Sequence, residues 1–342
     1  MSWNRKAWIS VAVAIIAAAA AIAAAIQYLR PVADLQKSAL PPVKLTLGMG
    51  SSSANASLFL AKRLGLFLDE GLDVTLQLYP SGQLSFADLL AGKLDLAISA
   101  DIPIVLASFR DARFHVVATT YESSNFSTMI SRQDRGIKKP EDLAGKKLGT
   151  VFGTTAEFMQ DTFLAAHRID PRSIIRVNLA PGRTVDALIA GEVDAVTIWA
   201  PYSRELIKRL GDTAVVFSDK AIYTSTLNLV AGEELVKQHP EVLRRVLAAL
   251  LRATAFARSD SDRAVREVSQ ALGLNEAVVK VDWNPLNFTV ALNQSLIIFL
   301  EDQARWAIRR QLVEASTVPN FLEWIHADAL AAVNPEAVSV IR

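Results

Sequence analysis

The sequence predicts an α/β protein built as two similar lobes with a ligand cleft between them, behind an N-terminal apolar helix. Three observations carry that expectation. Strands and helices alternate regularly from Val43 to about Ala231, which argues for a parallel or mixed sheet with both faces covered. The alternation restarts near Glu141. Finally, Leu89-Leu90-Ala91-Gly92-Lys93-Leu94-Asp95-Leu96-Ala97 is echoed by Leu188-Ile189-Ala190-Gly191-Glu192-Val193-Asp194-Ala195-Val196 at a constant offset of 99 residues. Each copy reads as a helix end with a glycine C-cap, a tight turn and a buried strand. Helix–glycine–strand units recur in any α/β protein, so the echo has that simpler reading as well; two similar lobes is the reading preferred. A chain that builds one lobe, crosses, builds a second and returns leaves a cleft, where small ligands bind.

The elements follow in order. Arg5 and Lys6 precede Ala7–Ile26, twenty residues in which only Ser10 is polar. A cationic start before an apolar run marks a secretory signal or a signal anchor. Twenty helical residues rise about 30 Å, enough to span a bilayer core. Ala23-Ala24-Ala25 offers a small-residue cleavage site, so residues 1–29 are a signal anchor, the preferred reading, or a cleaved signal peptide. Arg5 and Lys6 place the start in the cytoplasm and everything after Arg30 outside. Residues 30–42 read as a tether, polar and then stopped by Pro41-Pro42.

Val43–Met49 alternates and is predicted as a strand. Ala54–Leu68 follows with helical spacing of Leu58, Ala61, Leu64 and Leu68. Leu72–Leu78 is a strand, Gln83–Leu90 a helix, Leu94–Ser99 a strand, Ile102–Ser108 a short helix and Phe114–Thr120 a strand. After Glu141–Ala144 come a strand at Lys147–Val151 and a helix at Thr155–His167. A strand at Ile174–Asn178, a helix at Thr184–Ala190, a strand at Val193–Trp199 and a helix at Pro201–Gly211 complete that series. Two further strands, Ala214–Phe217 and Tyr223–Ala231, precede a remainder from Glu233 to Arg342 that reads almost wholly helical. His239-Pro240-Glu241 and Asn334-Pro335-Glu336 look like helix starts, with proline in the first turn.

Composition bounds the function. The 342 residues hold 36 Lys+Arg against 35 Asp+Glu, a net charge of +1, and no cysteine. Such a balance gives no electrostatic footprint for nucleic acid. Without cysteine there are no disulfides, thiolate metal sites, thiol nucleophiles or lipidated N-terminal Cys. Residues 1–29 hold two basic and no acidic residues, leaving the remainder at net −1.

Catalytic signatures are weak. Gly48-Met49-Gly50-Ser51-Ser52-Ser53 begins like a dinucleotide fingerprint but lacks the third glycine. Gly50-Ser51-Ser52-Ser53-Ala54 resembles a nucleophile elbow, but a triad would need His115, His167, His239 or His326, none with a loop signature. There is no metalloprotease, Walker or EF-hand motif, and no metal or cofactor is expected. Two hydroxyl-rich turns stand out instead: Ser51-Ser52-Ser53 and Gly153-Thr154-Thr155. Each sits where a strand gives way to a helix, whose N-terminus favours anions. Ser and Thr are also ordinary helix caps. Trp199 could wall a pocket or pack in a core; Asp101 could contact a ligand or cap the helix starting at Ile102.

Taken together, these residues resemble the periplasmic substrate-binding proteins of ABC transporters, in the nitrate/sulfonate/taurine and thiamine-precursor group. The segments that carry the likeness are Ser57–Phe67 with Glu70–Val74, Leu90–Asp95, Gly136-Ile137, Glu141–Gly149 with Gly153–Ala156, Ala190–Ala195, and Trp199 with Pro201. The resemblance implies a two-lobed type II binding protein in the periplasm that closes on a small ligand and presents it to membrane permease and ATPase subunits. It implies lobe 1 over residues 43–121 and 223–342, and lobe 2 over 122–222. It implies a cleft using Ser51, Ser52, Asn55, Gln83 and Asp101 from the first lobe. Ser123, Thr154, Thr155 and Trp199 would face them. Many relatives carry an acid between the Trp and Pro, where this chain has Ala200; that disfavours an amino-sulfonate such as taurine. An alkanesulfonate-like anion is the expected ligand, with Thr154 and Thr155 as neutral donors. A pyrimidine thiamine precursor stacked on Trp199, or a membrane-anchored sensor held by Ala7–Ile26, are the alternatives.

Overall fold

Among the described residues, eleven strands divide between two mixed sheets. They are β1 (Val43–Gly50), β2 (Leu72–Tyr79), β3 (Leu96–Ala100), β4 (Phe114–Ser123), β5 (Ser127–Arg132), β6 (Lys147–Thr150), β7 (Ile175–Asn178), β8 (Ala195–Trp199), β9 (Ala214–Phe217), β10 (Ser225–Gly232) and β11 (Phe288–Ala291). This is a computed structural model that describes residues 41–341, apart from residues 111, 218, 220 and 221. The expected apolar helix over Ala7–Ile26, with its anchor or signal role, lies outside the described residues, as does the tether up to residue 40. Among the described residues, no helix is long and apolar enough to cross a membrane.

The first sheet has the order β11-β4-β10-β3-β1-β2 and the second β7-β6-β8-β5-β9. In the first, β1 runs parallel to β3, and β10 lies antiparallel between β3 and β4. In the second, β6 runs parallel to β7 and β8, and β5 lies antiparallel between β8 and β9. The two halves of the sequence echo therefore hold equivalent places. Both β3 and β8 are flanked by a parallel strand on one side and an antiparallel strand on the other. They are buried on both faces, which explains their near-continuous apolar sequences, LAISA and AVTIW.

The helices of eight residues or more are α1 (Ala56–Arg63), α2 (Gly82–Leu90), α3 (Asp101–Ser108), α4 (Thr155–Ala166), α5 (Arg183–Ala190), α6 (Tyr202–Leu210), α7 (Pro240–Ser259), α8 (Ser261–Leu272) and α9 (Gln294–Arg309). Residues from Lys44 onward form one compact unit. Its largest core lies around the first sheet, where α7 contributes Val242, Leu243, Val246, Leu247, Leu250, Ala253 and Ala257 at helical spacing.

The structure differs from the sequence expectations in three places. The helix expected over Ala54–Leu68 is broken: a 3₁₀ turn covers Ser53–Asn55, α1 ends at Arg63, and Gly65 takes φ 72° before a last turn at Leu66–Asp69. Only glycine enters that left-handed region without cost. The strand β5 was not expected, since no element was assigned between Thr120 and Gly136 from the sequence. Pairing on both edges with β8 and β9 makes it a strand regardless of composition. The C-terminal stretch is also less helical than expected. Strand β11 docks on β4 at Phe288↔Tyr121, and Asn334-Pro335-Glu336 opens only a three-residue 3₁₀ turn.

Gly82 opens α2 against β3. A Cβ built there would stand 2.9 Å from the Ile98 carbonyl oxygen, a backbone atom with nowhere to move. Gly82→Ala is therefore expected to destabilise the fold by about 1–3 kcal/mol, measured as a lowered urea midpoint. An unchanged midpoint would mean that α2 can shift off the sheet at no cost.

Candidate ligand-binding site

Parallel strands β1, β3, β6 and β8 all end at the same cleft, so the turns that follow them meet there. A cavity of about 50 Å³ lies at the meeting point. Ser51, Ser52, Asn55 and Gln83 line it from the first half; Thr154, Thr155 and Trp199 line it from the second. Seven of the nine residues expected from the sequence thus come together. The other two lie nearby: Asp101 is buried beneath the cavity, and Ser123 borders a neighbouring chamber. None of the four histidines is in the lining; His115 and His326 meet edge to face elsewhere, with ring centroids 6.1 Å apart. Among the described residues, no group of three or more His, Cys, Asp or Glu is placed to hold a metal ion.

Every side chain in the lining is uncharged. Pro80, Ile98, Pro103, Phe126, Trp199 and Leu227 give it apolar walls. Its polar character comes from Ser51, Ser52 and Asn55 and from helix starts. Gly82 and Gln83 open α2, and Thr155 and Ala156 open α4; amides in a helix's first turn have no acceptor within their own helix. The two helix dipoles add partial positive charge at the same place.

The hydroxyls expected as ligand donors are engaged within the protein. Thr154 Oγ1 donates to the Val151 carbonyl at 2.6 Å, and Thr155 Oγ1 donates to Asp101 Oδ1 at 2.9 Å. Ser52 Oγ accepts from the Ala54 amide as a cap, at 3.3 Å. Asn55 Nδ2 donates to the Gly50 carbonyl at 2.7 Å, which leaves its buried Oδ1 with no partner. Gly153, at φ 70°, turns the chain into α4, and its amide donates to Glu157 Oε2 at 2.8 Å.

Asp101 is fully buried and acts as a hub. Its Oδ1 accepts from Thr155 and from the Ile102 amide at 2.9 Å; its Oδ2 accepts from the Tyr223 hydroxyl and from the Thr226 amide at 3.3 Å. Gln303 of α9 donates in turn to the Tyr223 hydroxyl at 3.1 Å. Burial pushes the Asp101 carboxyl above the usual carboxylate range, against the opposing pull of the donors around it. Burial and the neighbouring carboxyl together push the Tyr223 phenol well up. Glu157 is likewise raised by burial, opposed by the Gly153 amide.

Several bonds cross the cleft. Besides Asp101–Thr155, Gln83 Nε2 donates to the carbonyls of Phe152 and Gly153 at 3.3 and 3.2 Å. The Tyr202 hydroxyl donates to Pro80 O at 3.4 Å, and Arg204 Nε meets Asp282 at 3.1 Å.

Among the residues that sequence reasoning missed, Phe126 and Gln303 stand out. Phe126 lies in the crossover between sheets, where nothing marks it beyond being an aromatic in a polar turn. Gln303 carried a readable signal: it falls on the apolar stripe Leu296, Ile297, Leu300, Ala304, Ala307 of α9, the wrong face for a solvated polar residue.

A family model described as NMT1/THI5 like matches residues 53–264, and the chain belongs to that family. The fold is that of the alkanesulfonate-binding protein SsuA from Xanthomonas axonopodis pv. citri, solved bound to MOPS. The TM-score is 0.72 at 21% identity, covering 84% of this chain and 100% of that one. A Bacillus subtilis (strain 168) protein, provisionally named an aliphatic sulfonates-binding protein, is 25% identical over 251 residues, 72% of this chain and 74% of the relative. The same fold also serves catalysis. The desulfurization enzyme DszB, solved as a point mutant in complex with biphenyl-2-sulfinic acid, matches with a TM-score of 0.63 at 17% identity, over 85% of this chain and 98% of that one.

A pH signature follows from Asp101. Its folded pKa lies above the unfolded value of about 3.9, so its favourable contribution is present below that value and lost as pH rises through the folded pKa. The stability of the wild type relative to Asp101→Asn is expected to fall as pH rises from about 4, read from urea unfolding across the acid range. A difference that stays flat, or grows with pH, contradicts the assignment.

Proposed function

We propose that this protein is the extracytoplasmic solute-binding component of an ABC importer. It captures a small organic anion, an alkanesulfonate in the first instance, and delivers it to a membrane permease. The observation that carries this reading is the cleft cavity. Two helix N-termini converge there on apolar walls, with no charged side chain in the lining. Such a site holds an anion by amides and dipoles, while Trp199 and Phe126 shelter a short apolar body. Family membership and the sulfonate-binding relative support the same assignment. Capture works by hinge closure. Residues 43–121 with 223–342 form one lobe and residues 122–222 the other, and a ligand touching both favours the closed state by its differential affinity.

A pyrimidine thiamine precursor is the second reading, and one atom favours it. The unpartnered Asn55 Oδ1 asks for a donor, which the amino group of such a ring supplies and a sulfonate does not.

Thermal shift separates the two. With ethanesulfonate at a hundred times its Kd, stability is expected to rise by about 2.7 kcal/mol, and Trp199→Ala is expected to weaken binding roughly tenfold or more. A shift with an aminopyrimidine and none with any sulfonate would transfer the assignment to the second reading. No shift with either class would sink both.

A further inference from the structure

We propose that the cleft carries a second, outer subsite for a neutral hydrogen-bonding tail, so that the preferred ligand is a sulfonate bearing a polar group beyond its short alkyl body. This rests on the reading of the inner cavity as the seat of the anionic head.

The inner cavity, at about 50 Å³, has room for only a few water-sized groups. A ligand larger than a small head must continue elsewhere, and the structure provides the place. A chamber of about 210 Å³ lies alongside, and Ser52 and Phe126 border both spaces. The half-buried Phe126 ring leans on Tyr121, with centroids 6.3 Å apart, and stands as a partition between them.

The outer chamber reverses the character of the inner one. Its wall includes Tyr121, Ser123, Asp282, Asn284 and Asn287. Asn284 Nδ2 donates to Asn287 Oδ1 at 3.2 Å, and Asn287 Nδ2 donates to the Tyr121 hydroxyl at 3.3 Å. Each carboxamide keeps further donor and acceptor capacity. Ser123 Oγ accepts from the Asn125 amide at 3.1 Å, and its own O–H can still donate. The carboxylate in this wall, Asp282, is paired with Arg204 at 3.1 Å, so the chamber favours neither a second anion nor a cation.

Arg204 ties the Asp282 side of the chamber wall to the other half. It sits on α6, in the half that carries β8, and reaches across to Asp282 and to the Val278 carbonyl, at 2.5 Å. A plain alkyl tail entering it would strip water from polar side chains without replacing the hydrogen bonds, which is unfavourable. An amide or hydroxyl tail of the same length would replace them.

Calorimetric titration of the full chain with three probes tests this: methanesulfonate for the head alone, pentanesulfonate, and 3-acetamidopropanesulfonate, similar in length with an amide in the tail. The acetamido ligand is expected to bind roughly tenfold more tightly than pentanesulfonate. In Asn287→Leu, and separately in Asn284→Leu, that preference is expected to shrink to about twofold or less, while methanesulfonate binding stays at its wild-type strength and reports an intact fold. Pentanesulfonate binding as tightly as the amide, or a preference that survives both variants, overturns the outer subsite while leaving the head site standing. Failure of all three probes to bind overturns the inner-cavity reading itself.

Discussion

The buried carboxyl of Asp101 is the contact around which the cleft is organised. It begins α3 at the end of β3, in the first half, yet its oxygens are shared among Thr155 at the start of α4, Tyr223 in the returning crossover and Thr226 on β10. One side chain therefore joins both halves and one connection between them, directly beneath the cavity. Two carboxylate oxygens in a dry site cannot be left half satisfied, so the positions of α4 and of the crossover are coupled. The hydroxyl of Thr155 is committed to Asp101 by the same demand.

This separates the scaffold of the site from its ligand-facing surface. Hydroxyls and carboxyls hold the halves together, while helix starts and aromatic walls line the cavity. Glu157 extends the pattern. It holds the Gly153 amide from behind, and Gln83 of the opposite half donates to the Gly153 carbonyl, so this one peptide turn is gripped from both halves. The geometry of this turn is thus tied to both halves.

How much of this could be read in advance follows physical lines. Strands β1, β3, β6 and β8 were legible because buried strands bounded by glycine, serine or proline leave a local signature. Their ends located the cavity, and seven of nine expected residues line it. The function of individual side chains was less legible. Asp101 and Thr155 are 54 positions apart, and Asp101 and Tyr223 are 122 apart, so no local pattern tells that they bond to each other rather than to a ligand. Strand β5 was hidden for the same reason, since its strand character is conferred by neighbours on both edges. Ala200, which the sequence singled out beside Trp199, borders the outer chamber.

The position of β10 carries a consequence for how the chain comes to be folded. It fills the gap between β3 and β4, placing Leu229 beside Ile98 on one side and Ala118 on the other. Until residues 225–232 have been synthesised, those two earlier strands have no partner on their facing edges, and their apolar surfaces stay open to other chains. The second sheet has no such dependence, because all five of its strands fall between residues 127 and 217. The later-made half is thus the first that can be completed, and the earlier-made half waits on a strand that lies beyond it in the chain.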